Sequence, residues 1–330
     1  MRVSVRRLGI VAGTLLCSVI IVVATSASAA LRSQDIDWSA VEEALGRPAQ
    51  TMAGDVFRIG MPRTDLKVTV EDVPVQAGFA LGSYAAFKQY DDGTMVMGDL
   101  VLLDQEVNGV MSGLFDHGFQ VTALHNHVNN MSPHVMYMHY EGMGDPIELA
   151  AGLHDALSAS ATPLSPASPP PPPAQPSGPQ LDTGLLDGIL GYAGRLNGSV
   201  EQFGVPRTAT ITEMGHELVP AQGVTTALNF QPTSPSTAAI TGDFVLLASE
   251  VNAAASTLRA NGIEVTAVHQ HHLGEEPRLF YMHFWANNDP ATLARGLRAA
   301  LDQTGSQPPR SRASLTERKR NPRPKPFAHA

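Results

Sequence analysis

The chain has 330 residues, 43% of them hydrophobic, and a formal net charge of −9. This composition excludes a wholly disordered chain and supplies enough apolar residues for two ordinary domains. The single cysteine, Cys17, lies in an apolar run near the N-terminus, so the rest of the chain has neither disulfide bonds nor thiolate catalysis.

The N-terminal residues have the pattern of an export signal. Three arginines within the first seven residues precede an apolar run, and the small residues Ala-Ser-Ala follow it at 27–29. This order predicts a cleaved signal peptide over residues 1–29 and a periplasmic or extracellular protein. Cys17 follows Leu16 rather than a small residue, which argues against lipid anchoring.

The chain contains the same unit twice. Residues 98–157 align with residues 242–301 at a constant offset of 144, and about half of these positions are identical. A repeat this long predicts tandem domains rather than a solenoid. We assign the domains to residues 31–157 and 181–303, joined by a proline-rich linker at residues 158–180.

The predicted elements of each copy follow one order. In the first copy, DVFRIGMPR, LKVTVEDVPV, SYAAFKQY and MVMGDLVLL are β-rich and predict strands. A helix follows, because four apolar residues have helical spacing: Val107, Val110, Met111 and Leu114. A His-x-His strand and the strand HVMYMHY come next, and Asp145 caps a last helix that begins at Pro146.

The second copy repeats this order. The sequence therefore predicts an α+β fold with two tandem ferredoxin-like domains, each an antiparallel-rich sheet with helices on one face.

Two His-x-His motifs, VTALHNHV and VTAVHQHH, occupy equivalent strands of the two copies. Side chains alternate along a strand, so His125 and His127 share one face. A hairpin centred near Ser132 would place His125 opposite His139 and His127 opposite Tyr137. Three imidazoles of each copy are therefore expected to converge.

The histidine face offers neutral nitrogen donors to a metal, while Leu124, Met136 and Met138 face the helices. Such donors suit zinc first and copper second. The candidate ligands are His125, His127, His139, His269, His271 and His283. Two alternatives stay open: a structural hydrogen-bonded cluster with Tyr137 or Tyr281, and metal-free acid–base or ligand-binding chemistry.

Carboxylates at equivalent positions are candidate catalytic groups, because a hydrolase needs a proton acceptor near a metal-bound water. They are Asp99, Glu106, Asp243 and Glu250. Each also has a local explanation: the glutamates fall in the first turn of a helix, and the aspartates follow glycines at a predicted turn or bulge. Arg63 and Arg207 are likewise equivalent, and predict either a surface ion pair or a site for a carboxylate or phosphate group.

The C-terminal residues 304–330 have the composition of a basic disordered tail. Seven arginines and lysines accompany a single acid, Glu317. This tail predicts a solubilising role or attraction to an anionic lipid or cell-envelope polymer. No nucleic-acid partner is expected for an exported protein.

The segments MGDLVLLDQEVNGVMSGLFDHGFQVTALHNH with VMYMHYEGMGDP, and TGDFVLLASEVNAAASTLRANGIEVTAVHQHH with RLFYMHFWANNDP, resemble the LppY/LpqO family of exported bacterial proteins. The resemblance covers both copies. It implies a cell-envelope protein, often described as a lipoprotein, with no established activity.

The leading hypothesis is an exported tandem-repeat protein that binds a transition metal through its two histidine clusters. One alternative is a metal-dependent hydrolase that uses the same clusters, and another is a structural or interaction protein of the cell envelope. The sequence leaves open whether the two clusters are separate or shared.

Overall fold

The computed structural model describes residues 36–165 and 178–308. The predicted signal peptide, the middle of the predicted linker and nearly all of the basic tail lie outside these ranges. Within them, the helices are all too short or too polar to cross a bilayer.

The first copy contains four helices and nine strands. In chain order they are α1 (Trp38–Leu45), β1 (Ala49–Met52), β2 (Val56–Pro62), β3 (Val68–Val70), β4 (Val73–Val75), α2 (Ala77–Ala80), β5 (Gly82–Tyr90), β6 (Gly93–Leu103), α3 (Asp104–Asp116), β7 (Gln120–His125), β8 (Met131–Ser132), β9 (Val135–Gly144) and α4 (Pro146–Leu157).

The second copy repeats most of this order. Its elements are α5 (Thr183–Leu190), β10 (Arg195–Asn197), β11 (Val200–Pro206), β12 (Ile211–Glu213), β13 (His216–Leu218), β14 (Thr225–Pro232), β15 (Ala238–Leu247), α6 (Val251–Ala260), β16 (Glu264–His269), β17 (Leu279–Asn288) and α7 (Pro290–Leu301). The predicted helix starts are confirmed, since Asp145 and Asp289 accept backbone hydrogen bonds as N-caps directly before Pro146 and Pro290.

Each copy is built on a six-stranded antiparallel sheet. The strand order is β1-β2-β5-β6-β9-β7 in the first copy and β10-β11-β14-β15-β17-β16 in the second. The fold is therefore α+β with two repeated antiparallel domains, as predicted. The predicted strand LKVTVEDVPV is a short hairpin, β3 with β4, and β8 joins it in a separate three-stranded sheet.

The two faces of the large sheet have different neighbours. Along β6, Val96, Leu100 and Leu102 pack with α1, α3 and α4 in one apolar core. The intervening Met97 and Val101 face the other way and pack against residues of the second copy. Because both faces are covered, β6 is buried almost throughout, and each enclosed aliphatic side chain contributes about 1.5–3 kcal/mol.

The two copies pack sheet against sheet around an approximate two-fold axis. Equivalent hydrogen bonds cross between them: the hydroxyl of Thr122 donates to the carbonyl of His271, and the hydroxyl of Thr266 donates to the carbonyl of His127. Both carbonyls belong to His-x-His motifs. The contact between the copies therefore also positions the histidines.

The predicted hairpin register is wrong by two residues. His125 pairs with Tyr137, and Ala123 pairs with His139. The connection between the strands is longer than a tight turn, because Met131 and Ser132 leave it to pair with β3. A shift of two keeps every side chain on its predicted face, since faces alternate with a period of two.

Two features of the histidine strand depart from what simple alternation of side chains predicts. A bulge between Val121 and Ala123 turns Val121 to the helix side and frees Thr122 to reach the second copy. Leu124 pairs with Met138 on the helix side, but it lies on an edge strand and is 40% exposed rather than in the core.

Residues at both ends of the predicted domains pack on the fold. Ala161, in the predicted linker, donates its backbone N–H to Glu106, and Arg47 donates to the carbonyl of Pro163. In the predicted tail, the N–H of Gln307 donates to the carbonyl of Pro206.

Candidate metal centre

The six candidate histidines come from equivalent positions of the two sheets. His125 and His269 end β7 and β16, while His139 and His283 lie within β9 and β17. His127 and His271 lie two residues beyond the strand ends, where the crossing threonine hydrogen bonds hold their backbone. All six side chains point into the space between the copies, where they form one shared group, the histidine cluster.

The rings of the cluster stack in pairs that join the two copies. His125 stacks on His269, its own equivalent, with ring centroids 3.5 Å apart. The other two pairs exchange partners across the two-fold axis: His127 with His283 at 3.8 Å, and His139 with His271 at 3.6 Å. A cluster assembled this way requires both copies.

Burial keeps the cluster neutral. Desolvation is the largest effect at all six rings, and it lowers the pKa of His125 to about 3 and that of His269 to about 4. The pKa values of the other four are held well below the ordinary range by the same burial and by the neighbouring histidines. At neutral pH each ring therefore has one nitrogen lone pair.

Backbone contacts fix the tautomer of three rings. Nδ1–H donates to a carbonyl oxygen in His125, His269 and His283, at 3.3, 3.2 and 2.8 Å. Because a carbonyl can only accept, the lone pair of each of these neutral rings lies on Nε2. This is the arrangement in which metal-binding histidines are commonly held.

The Nε2 atoms of all six rings are buried without a hydrogen-bond partner among residues 36–165 and 178–308. Leaving such an atom unpaired costs about 1–3 kcal/mol, so six in one place suit a bound ion or ordered water. Two groups within the cluster have donor atoms within 4.8 Å of one another. The first is His125, His269, His271 and His283, and the second is His125, His127 and His139.

Asp99 and Asp243 line the same space. The carboxylate of Asp99 lies 3.8 Å from Nε2 of both His127 and His139, and that of Asp243 lies 3.6 Å from Nε2 of His271. Burial raises the pKa of Asp99 to about 8, and burial together with the charge of Asp99 raises the pKa of Asp243 well above its ordinary range. Two of the four predicted carboxylates therefore join the histidines.

The glycines before these aspartates do not form the predicted turn or bulge. Gly98 lies mid-strand, paired with Ala85 and Tyr140. A Cβ on Gly98 would collide with the carbonyl of Tyr84 and come within 2.7 Å of the Tyr140 hydroxyl. The glycine therefore makes room for a packed tyrosine ring, and Asp99 is turned to the opposite face.

Glu106 and Glu250 do not lie in the histidine cluster. Glu106 binds the fully buried guanidinium of Arg63, at 2.7 Å, and accepts the backbone N–H groups of Leu103 and Ala161. Glu250 binds Arg207 in the same way, at 2.8 Å. These are buried ion pairs at the start of a helix, and they give all four residues a structural explanation away from the histidines.

The Arg63 pair predicts a pH dependence of stability. Burial alone would raise the pKa of Glu106, but hydrogen bonds from Arg63 and two backbone N–H groups lower it overall. A depressed folded-state pKa stabilises the fold above the ordinary pKa of a glutamate, and the contribution is lost as pH falls through the folded value. The stability advantage of the parent over Glu106→Gln should therefore be full at neutral pH and shrink below about pH 4 in urea unfolding. A constant difference from pH 7 to pH 3 would contradict it.

The tyrosines do not form the predicted hydrogen-bonded cluster with histidine. The hydroxyl of Tyr137 donates to the carbonyl of Ala80, and that of Tyr281 has no partner among the described residues. Their rings instead stack on His127 and His271, with centroids 3.3 and 3.5 Å apart. Tyrosine therefore shapes the walls of the site and leaves the imidazole nitrogens free.

The repeat seen in the sequence corresponds to a known domain family. The family described as Domain of Unknown Function (DUF1259) matches residues 39–159 and again residues 185–303. The chain belongs to this family. Each DUF1259 copy supplies three of the six clustered histidines, and no curated protein is similar to the chain in sequence.

Two solved structures show a distant likeness to the tandem DUF1259 chain. A trimeric bacterial microcompartment shell protein, PduB, is 13% identical over 78% of this chain and 91% of its own, with a TM-score of 0.19. EtuB from Clostridium kluyveri is 8% identical over 77% of this chain and 88% of its own, with a TM-score of 0.19. At these TM-scores neither likeness informs the fold or function of the chain.

Sequence reasoning missed a buried polar group, His272, that is present in only one of the two DUF1259 copies. His272 follows the second His-x-His motif directly and is buried, with Nδ1 3.9 Å from a carboxylate oxygen of Glu141. Its equivalent in the first copy is Val128, so a comparison of the two copies did not single out His272. The available clue was that His272 is the fourth consecutive polar residue, in His-Gln-His-His.

Proposed function

We propose that this protein binds transition-metal ions, zinc first and copper second, in the histidine cluster shared by its two copies. The observation that carries the proposal is the set of six buried Nε2 atoms without hydrogen-bond partners. Neutral imidazoles are preferred ligands of these metals, and three of them already have the backbone hydrogen bond that holds a ligating ring in place.

The charges around the cluster also fit a cation. Buried Asp99 and Asp243 are held protonated by desolvation, and a divalent ion nearby would favour their ionised forms. At 3.6–3.8 Å, these carboxyl groups are too far from the histidine Nε2 atoms to hydrogen-bond them directly. Their position favours a charged ligand over a simple packing role.

A metal-dependent hydrolase is the second candidate, and the same two aspartates favour it. A carboxylate 3.6–3.8 Å from the histidine nitrogens lies where it can accept a proton from a water at the metal. Binding and hydrolysis share their ligands. Turnover of activated ester and phosphoester substrates distinguishes a hydrolase from a metal-binding protein. In a hydrolase, Asp99→Asn should lose this turnover and retain its metal content.

Thermal unfolding with and without zinc tests the binding proposal. A ligand at about 100 times its dissociation constant stabilises the folded state by about 2.7 kcal/mol, which corresponds to a rise of about 5–10 °C for a chain of this size. We expect this rise in the metal-free parent and none in His125→Ala/His127→Ala/His269→Ala/His271→Ala. An equal rise in both proteins would refute the histidine site.

Three further expectations belong to the same proposal. Export of the protein rests on the N-terminal sequence, and a cell-envelope role rests on the resemblance to the LppY/LpqO family. The ferredoxin-like description of each copy rests on its strand and helix order. Cell fractionation tests the first two, since the mature protein should be found outside the cytoplasm.

A further inference from the structure

We infer that metal ions reach the most deeply buried histidines of the cluster through an acidic cleft at Glu141, Glu213 and His272. This inference rests on the proposed metal binding and adds the site that captures the ion before it is bound. Its starting point is the unequal burial of the cluster: His139, His271 and His283 are at most 6% exposed, whereas His127 and His269 are half-buried. An ion therefore needs a polar route to the three deepest rings.

The cleft opens between the two copies. It has a volume of about 480 Å³, and its walls include Glu141 from the first copy and Glu213, Gly274 and Glu276 from the second. At its floor, one carboxylate oxygen of Glu141 and one of Glu213 are buried without a hydrogen-bond partner. Carboxylates in the wall of a solvent-accessible cleft attract cations.

His272 connects the cleft to the cluster. Its ring lies 3.9 Å from Glu141, and its Nε2 is buried without a partner. On the far side, His272 lines a cavity of about 10 Å³ together with His139 and His271. That volume suits a single water or a bare ion, so polar atoms continue from solvent to the histidine nitrogens.

The equivalent position on the other side of the two-fold axis is apolar. His272 corresponds to Val128, Glu275 to Met131 and Glu141 to Trp285 at the constant offset of 144. Thr69 pairs with Ser132 as Thr212 pairs with Glu276, so Glu213 corresponds to Val70. The four apolar residues pack together in one buried core: Val70, Val128, Met131 and Trp285.

The apolar equivalents show which of these polar residues the fold itself requires. The same backbone arrangement is stable with apolar side chains on one side, so the fold does not require charged residues on the other. Burying polar groups instead is destabilising unless they have partners. Glu275 is paired with Arg278 at 3.2 Å, and one oxygen of Glu213 accepts the backbone N–H of Gly274. Glu141 and Glu213 each still have a buried carboxylate oxygen without a hydrogen-bond partner among the described residues. The remaining acids, Glu141 and Glu213, are therefore best explained by a cation that passes between them.

The experiment measures how fast metal-free protein takes up zinc, followed by stopped-flow with a fluorescent indicator of free zinc. The test variant is Glu141→Gln/Glu213→Gln, which keeps the shape of both side chains. A second variant, His272→Val, introduces the residue found at position 128. The control, Glu148→Gln/Asp155→Asn, removes two carboxylates from the exposed side of α4 and so matches the change in net charge.

We expect the test variant to load about tenfold more slowly or worse, and to reach the same final zinc content as the parent. His272→Val should also be slow, and the control should load at the parental rate. Loading of the test variant at the parental rate would overturn the entry route while leaving metal binding intact. A lower final zinc content would overturn it too, because the cleft would then be an equilibrium site. No uptake by the parent would overturn both proposals.

Discussion

His125→Gln is expected to weaken zinc binding throughout the cluster, whereas His127→Gln should weaken only part of it. His125 belongs to both groups of converging donor atoms, while His127 belongs to one. Losing an outer partner of a metal ligand already weakens binding by roughly 10- to 100-fold, so losing a shared ligand should weaken it by at least about 100-fold, or about 2.8 kcal/mol.

Competition against a chromophoric chelator measures this difference. His134→Gln is the matched control, because His134 is an exposed histidine of the same copy that bonds only to Asp104. The control should bind zinc as the parent does. If His125→Gln and His134→Gln bind zinc equally well, the shared cluster is not the site. If His125→Gln leaves half of the bound zinc untouched, the two copies bind separately.

Glu250→Ala should be strongly destabilising. It leaves the guanidinium of Arg207 buried with only the carbonyl of Val245 as a partner, and it also removes the acceptor for the backbone N–H groups of Leu247 and Gly305. Removing one partner of a buried ion pair lowers the free energy of unfolding by about 3–5 kcal/mol. The midpoint of urea unfolding measures the loss.

The first copy supplies an internal comparison. Arg63 also binds Asp65, at 2.9 Å, whereas the residue that corresponds to Asp65 in the second copy is Ala209. Glu106→Ala should therefore be less destabilising than Glu250→Ala. Glu148→Ala, on the exposed side of α4, should change stability by less than about 0.5 kcal/mol. A larger loss for Glu106→Ala than for Glu250→Ala would contradict this account of the two pairs.

The elements that periodicity predicts are largely those that the structure contains. The strands around MVMGDLVLL and AAITGDFVLL, the helices after them and the two aspartate caps follow from local patterns that leave little choice. Helices α1 and α5 were missed, because each has only eight residues and little more than two turns of periodicity.

Strand register and the packing of one copy against the other could not be predicted from local sequence. The two-residue shift opposite His125 depends on β8 pairing with β3, a contact between residues about 60 positions apart. The shared cluster depends on how two sheets pack against each other. Alternation correctly placed the histidines on the face away from the helices, but it left open whether the clusters of the two copies are separate or shared, and packing joins them.

The carboxylates show why the recurrence of a residue in both copies does not by itself indicate catalysis. All four candidates recur at equivalent positions, yet Glu106 and Glu250 neutralise buried arginines while Asp99 and Asp243 face the histidines. Conversely, His272 and Glu141 have no polar equivalent in the other copy, and they make the two sides of the molecule different. Residues that recur in both copies identify what each copy needs. Residues that differ between the copies identify what only the assembled pair can do.

The most direct test of the central claim is the metal content of the mature protein, purified without a histidine tag and measured by mass spectrometry. The comparison is His125→Ala/His127→Ala/His269→Ala/His271→Ala, shown by circular dichroism to remain folded. The account predicts near-stoichiometric zinc or copper in the parent and little in the variant. A parent that holds no metal, even after incubation with zinc or copper, would contradict it and leave the cluster as a structural contact between the two copies.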